Sequence, residues 1–355
     1  MSSYASLLKA FEERADGVVA NGKPLVGVFG EGVPVPLITA MGGFVVDVKA
    51  PPLADAVDGP IESVVSKLTE PFLDPFAARF LHRFAAGALD SFAALIFVRD
   101  DVAGLAAYQY ASELRRQGQL TTKGPSLHLW NMLHTQSTAA EVFNQAEQVR
   151  LVRELEQSLG APCDTDALKA AIMSEAARHK IVGNLPSGGQ EAFIARTAGR
   201  WLTAEAHSTL LADLSLHTAQ GPKIALTGTA CDTPVLHGVC EAHGQIIADV
   251  QDYGRSAPFI HNAESMLTDL AGGALSMRAA PSDRFTRALH KATEDADLVV
   301  VSVDENDDAF GWEVPALKRA TEDRGARFVN LGFRPFRPDD AWCDAASALI
   351  SEALA

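Results

Sequence analysis

Four short runs of this chain place reactive side chains at the ends of apolar segments. Gly30-Glu31-Gly32-Val33 follows the apolar run that ends at Phe29. Glu31, lifted off a strand end between two glycines, suits an acid, a base or the acceptor of a hydrogen bond from a substrate. Its structural alternative is a turn acid that stabilises the dipole of the next helix. Thr229, Cys231 and Asp232 stand in a corresponding turn after Lys223 to Thr227. Cys231 near a helix N-terminus is a nucleophile type, but no general base lies beside it in sequence, and a small buried side chain is the plainer role. Asp232 suits a substrate contact or a helix N-cap.

The other two runs are Arg99-Asp100-Asp101, after the apolar Ala93 to Val98, and Asp304-Glu305-Asn306-Asp307-Asp308, after Leu298 to Val303. Asp100 and Asp304 are candidate proton-transfer carboxylates. A guanidinium holds an oxyanion in a fork, so Arg99, Arg255 and Arg278 are candidate phosphate contacts, although a single such arginine is more often a surface ion pair. The 304–308 acids have oxygen ligands for a divalent cation, yet the spacing is not that of an EF-hand. Acids of a helix's first turn are the structural reading, and no metal site is expected. Gly30-Glu31-Gly32 is not a dinucleotide fingerprint, because the third glycine would fall on Val35.

These runs need elements to hold them. Strand, glycine turn, helix, glycine stop and a second strand containing an aspartate (Asp47, Asp249) occur twice, about 200 residues apart. The pattern predicts two flavodoxin-like, Rossmann-like α/β lobes with parallel sheets, at 1–136 and 215–355. Between them, 137–214 changes to long helical stripes such as Val149, Val152, Leu155 and Leu159. A first helix is expected over 4–20, and one continuous helix over roughly 191–213. Open parallel sheets bind ligands off the carboxyl ends of their strands. The expected cleft is therefore lined by 30–33, 99–101, 229–232 and 304–312, with Gly30, Gly32, Arg99, Thr229, Asp232, Arg255 and Trp312 as substrate contacts.

Composition narrows the class. A chain of 355 residues, 47% of them apolar, has the material for two cores. Its net charge of −15 argues against a nucleic-acid surface. The N-terminus has no signal-peptide pattern and the apolar runs are strand length, so neither membrane nor export is expected and a cytoplasmic location is. The four cysteines, at 163, 231, 240 and 343, form no Cys-x-x-Cys pair.

Several segments taken together resemble the 2-hydroxyacyl-CoA dehydratase and benzoyl-CoA reductase subunit family. They are Gly27-Val28-Phe29-Gly30-Glu31-Gly32-Val33-Pro34 with Leu37 to Gly43, Leu95 to Asp101 with Ala107 to Tyr110 and Glu113 to Arg116, and Leu155 to Gly160. Leu226-Thr227-Gly228, Asp252-Tyr253-Gly254-Arg255 and Gly311-Trp312-Glu313-Val314-Pro315 come next in order. The resemblance implies paired subunits, an acyl-CoA ligand and an iron-sulfur cluster held by cysteines between the lobes. Here the expected cysteine positions fall within Arg99 to Asp101 and Asp304 to Asp308, which hold no thiol, and one thiolate cannot hold a cluster. The resemblance with this departure implies a cluster-free subunit of a dehydratase-like complex, with the cluster on a cysteine-complete homologous partner, or a homodimer. The alternatives are a cofactor-independent acyl-CoA lyase or hydratase that uses carboxylates, and a non-catalytic scaffolding subunit.

Overall fold

A computed structural model describes the chain apart from residues 1, 17–21, 55–61, 121–122, 187, 230, 252, 255–257, 274, 276–280 and 308. Helix α1 (Ser3–Glu13) precedes β1 (Leu25–Phe29), α2 (Val35–Ala40) and β2 (Phe44–Asp47). Helices α3 (Val64–Leu68) and α4 (Pro75–Ala85) lead to β3 (Ala94–Val98), α5 (Val102–Arg116) and β4 (Ser126–Trp130). Then come α6 (Thr138–Leu159), α7 (Thr165–Gly183), α8 (Gln190–Thr197) and α9 (Ala204–Ala212). The second sheet region runs β5 (Lys223–Gly228), α10 (Val235–Glu241), β6 (Gln245–Asp249), α11 (Met266–Ala271), α12 (Asp283–Thr293), β7 (Leu298–Asp304), α13 (Val314–Asp323), β8 (Arg327–Arg334) and α14 (Asp340–Leu354).

Both sheets are four-stranded and wholly parallel. Their orders, β2-β1-β3-β4 and β6-β5-β7-β8, are the same order repeated. The chain thus forms two flavodoxin-like parallel-sheet lobes, with helices α6 to α9 in the sequence between them. The central strands β3 and β7 are buried along their whole length, as parallel strands covered by helices on both faces must be. Phe29, Phe80 and Phe97 meet edge to face or stacked at 5.2–6.1 Å above the first sheet. Each buried phenylalanine contributes on the order of 2 kcal/mol. Phe76 at the head of α4 joins the lobes, stacked on Tyr253 at 6.2 Å and edge-on to Phe336 at 4.8 Å. Among the described residues no helix is long and apolar enough to cross a membrane.

Two helices depart from the sequence expectation, each for a physical reason. Helix α1 ends at Glu13 because Arg14 adopts φ 49° and leaves the helix, turning its guanidinium into the protein, where it is 0% exposed. The expected helix over 191–213 is broken into α8, a 3-10 turn at Ala198–Trp201, and α9, whose N-cap Thr203 accepts from Ala206 N. Gly199 stands in the break against the His207 ring, 2.4 Å from where its Cβ would be. The break delivers Arg200 and Trp201 to the first lobe: Trp201 Nε1 donates to Asp47 O at 2.9 Å.

One glycine device is repeated at the two strand ends. Gly30, with φ 104°, closes the turn after β1 against Val98 and Asp101; Gly228, with φ 128°, ends β5 against β7. A Cβ on Gly228 would sit 1.8 Å from Ser302 O, in a conformation open essentially to glycine alone. Gly228→Ala is expected to destabilise the chain by at least about 2 kcal/mol. Denaturant unfolding checks this; an unchanged midpoint would contradict the close approach of β5 and β7.

Candidate functional site

The carboxyl ends of the two sheets border a cavity of about 800 Å³. The first lobe lines it with Glu31, Gly32, Lys49, Asp74, Asp100, Asp101 and His134, the second with Thr229, Asp304, Asp307 and Phe310. A second cavity of about 370 Å³, lined by Gly30, Glu31, Asp47, Arg200 and Tyr253, lies toward α7 and α9 and shares Glu31, Gly32, Pro258, Phe259 and Leu270 with the first.

The residues expected at the cleft divide accordingly. Glu31, Gly32, Asp100, Thr229 and Asp304 line the larger cavity, and Gly30 the smaller. Arg99 lies outside both: its amide continues the ladder to Trp130 O at 2.9 Å while its side chain is exposed. Trp312, 85% exposed, also lies outside. The short 3-10 turn Phe310–Trp312 turns Phe310 inward, and Phe310 lines the cavity instead. Asp232 is neither a cavity residue nor a helix cap. It is 1% exposed and bound to Arg14, while α10 starts at Val235 without a side-chain cap. Arg255 and Arg278 lie outside the described residues.

Glu31 is tied down rather than free. Arg200 Nη2 donates to Glu31 Oε1 at 2.5 Å and its Nη1 to Asp47 Oδ2 at 3.2 Å, with the guanidinium 4.3 Å from the Tyr253 ring centre. Burial alone would lower the Arg200 pKa, but Glu31 and Asp47 outweigh it and the value is raised. Glu31 therefore anchors the helical segment to the first lobe.

Asp100 meets a partner that sequence reading missed. His134, four residues past the end of β4, hydrogen-bonds Asp100 Oδ2 through Nε2 and Ala271 O through Nδ1 at 3.3 Å. The bond to Asp100 raises the His134 pKa against the opposing effect of burial. The imidazolium form donates through both nitrogens, as this arrangement requires. Asn144 of α6 holds the loop, accepting from Leu133 N at 2.8 Å and donating to Leu133 O at 2.9 Å. Asp100 Oδ1 accepts no bond from the described residues.

Lys49, Asp74 and Asp101 form a second charged group on the same wall. Lys49, 6% exposed, places Nζ 2.5 Å from Asp101 Oδ2 and 5.0 Å from the Phe76 ring centre. Both aspartates cap helices: Asp101 Oδ1 accepts from Gly104 N at 3.0 Å, and Asp74 Oδ1 from Phe76 N at 2.8 Å and Ala77 N at 3.3 Å. Burial pushes the Asp74 carboxyl up to about 6; Asp101 adds to the rise, and Lys49 and the two amides oppose it.

Asp304 at the end of β7 and Asp307 just beyond it are occupied with nearby backbone amides. Asp304 N donates to Thr229 Oγ1 at 2.5 Å and Asp304 Oδ1 accepts from Asn306 N at 3.0 Å, while Asp307 Oδ1 caps the amides of Ala309 and Phe310 at 2.8 and 2.7 Å. No group of three metal-ligating side chains occurs among the described residues. Cys231 is buried and its thiol donates to Thr233 O at 3.3 Å; Cys240 is buried and burial pushes its thiol pKa up. No cysteine lines either cavity. Soft thiolate ligands are what an iron-sulfur cluster needs, and the cavity wall offers carboxylates, so these residues do not fit one. No protein-family model and no curated protein matches the chain.

Proposed function

We propose that this chain binds an acyl-CoA thioester in the larger cavity and moves protons on it, as a lyase of the hydratase class. The observation that carries the reading is the Asp100–His134 pair on the cavity wall, at the carboxyl end of a parallel sheet. A thioester carbonyl acidifies its α-proton, and a carboxylate backed by an imidazolium is a base able to take it. The ligand class comes from the family resemblance of the segments around Glu31, Asp100 and Tyr253, and a cavity of about 800 Å³ is in the range that takes a small-molecule ligand.

A second reading keeps the thioester but assigns the chemistry to a complex. Carboxylates stand where the family's thiolates are expected, at 99–101 and 304–308, which favours a cluster-free subunit beside a cysteine-complete homologous partner. Copurification from the native source distinguishes the two.

Calorimetry with butyryl-CoA tests the common part. Wild type is expected to bind, and Ala309→Trp, which projects an indole from the lining, to weaken binding at least about tenfold. No binding by wild type would overturn the proposal.

A further inference from the structure

Asp74 lines the larger cavity from the N-terminus of α4. Its Oδ1 is committed to the amides of Phe76 and Ala77, whereas Oδ2 accepts no hydrogen bond from the described residues. The charged groups nearest to it come from two other elements: Lys49, just beyond β2, and Asp101, the cap of α5. These two are joined at 2.5 Å, so the cation next to Asp74 is already engaged by a carboxylate. Arg79, one turn along α4, turns away to donate to Pro75 O at 3.3 Å and stacks 4.0 Å from the Phe336 ring centre. Across the cavity stand the carboxylates of Asp304 and Asp307. A carboxyl in such company holds its proton longer than one in water. On the same wall, Asp100 is paired with His134. Two carboxyl groups on one wall in such different company, one beside a carboxylate-bound lysine and one beside a histidine, can divide acid and base roles.

We infer that Asp74 is the proton donor to the departing hydroxyl in the elimination of water from a 3-hydroxyacyl thioester, with Lys49 and Asp101 as positioning residues; this rests on the thioester reading of the cavity. Proton transfer alone can drive this elimination only when the hydroxyl is β to the carbonyl, because only then is the proton to be removed the acidified one. Asp100 takes the proton from Cα, and the C–H electron pair becomes the Cα–Cβ double bond. The Cβ–O bond breaks, and its oxygen takes the Asp74 proton and leaves as water. Exchange with solvent returns a proton to Asp74 and removes one from Asp100, so no oxidant or reductant is consumed.

The test is the dehydration of 3-hydroxybutyryl-CoA, followed by absorbance of the conjugated enoyl thioester, beside calorimetric binding of butyryl-CoA. For wild type, kcat is expected to fall about tenfold per pH unit once pH rises above about 6. Asp74→Asn, which can still cap α4, should lower kcat at least about 100-fold with KM within about twofold, and should lose that alkaline limb. Asp101→Asn removes the negative neighbour and should move the limb to lower pH, a displacement that a merely structural role would not produce. An Asp74→Asn enzyme with the wild-type rate and profile would overturn the inference. Binding of butyryl-CoA without dehydration of the hydroxy thioester would overturn the inference and leave the thioester reading standing. Failure to bind either thioester would overturn both.

Discussion

Asp232→Ala is expected to lower folding stability by about 3–5 kcal/mol, the cost of leaving a buried charge without its partner. Arg14 and Asp232 have side-chain exposures of 0% and 1%. Arg14 Nη1 donates to Asp232 Oδ2 at 2.6 Å and to Pro51 O at 2.6 Å, Nη2 to Asp232 O at 2.7 Å, and Nε to Phe11 O at 3.1 Å. Its guanidinium also lies over the rings of Phe11 and Trp201, at 5.0 and 5.2 Å. Removing the carboxylate leaves this cation enclosed by carbonyls and rings with no counter-charge. Removing both members of the Arg14–Asp232 pair is a different matter, since an apolar pair of similar volume is often neutral relative to a buried ion pair, and Arg337, whose Nη2 lies 3.8 Å from Asp232 Oδ2, still donates to the carbonyls of Pro51, Pro52 and Leu53. Arg14→Met combined with Asp232→Leu should therefore recover most of the loss. Urea unfolding of the single and double variants measures both; a single-variant loss under about 1 kcal/mol would show that Asp232 does not bind the end of α1 to the second lobe.

The scaffold was legible because its signals are local. The apolar runs 94–98 and 298–304, and the glycines that end β1 and β5, are read within a few residues of one another. Their repetition implied the repeated strand order that the two sheets have. Strand ends likewise pointed to Glu31, Asp100, Thr229 and Asp304, all of which line the larger cavity. Partners were not legible, because pairing is a long-range property. Glu31 meets Arg200 across 169 positions and Asp232 meets Arg14 across 218. Neither sequence neighbourhood holds any sign of the other. Asp74 caps α4, and only the arrival of Lys49 and Asp101 from distant parts of the chain makes it a group of interest. His134 had a weak signal, its place just beyond the end of β4. Trp312 was misplaced because two residues along a 3-10 turn separate the inward Phe310 from an exposed ring.

Asp100→Asn is expected to slow exchange of the α-protons of bound butyryl-CoA with D₂O by roughly 10²–10⁴-fold, the usual contribution of a positioned general base. Asparagine keeps the shape and can still accept a bond from His134, but it has no carboxylate to take a proton. The pair also contributes to stability with a definite sign. His134 is raised by Asp100 in the folded chain, so its contribution is fully present below the unfolded value of about 6.5 and is lost as pH rises through the folded value. Butyryl-CoA has no hydroxyl to lose, so exchange reports on the base alone, whatever donates the second proton. Proton transfer by Asp100 is tested by mass spectrometry of butyryl-CoA recovered from D₂O after incubation with wild type and with Asp100→Asn. Deuterium at Cα with wild type and almost none with the variant is the predicted result. A wild-type chain that binds the thioester and incorporates no deuterium, or a variant that incorporates it at the wild-type rate, would contradict proton transfer by Asp100 in the inter-lobe cavity.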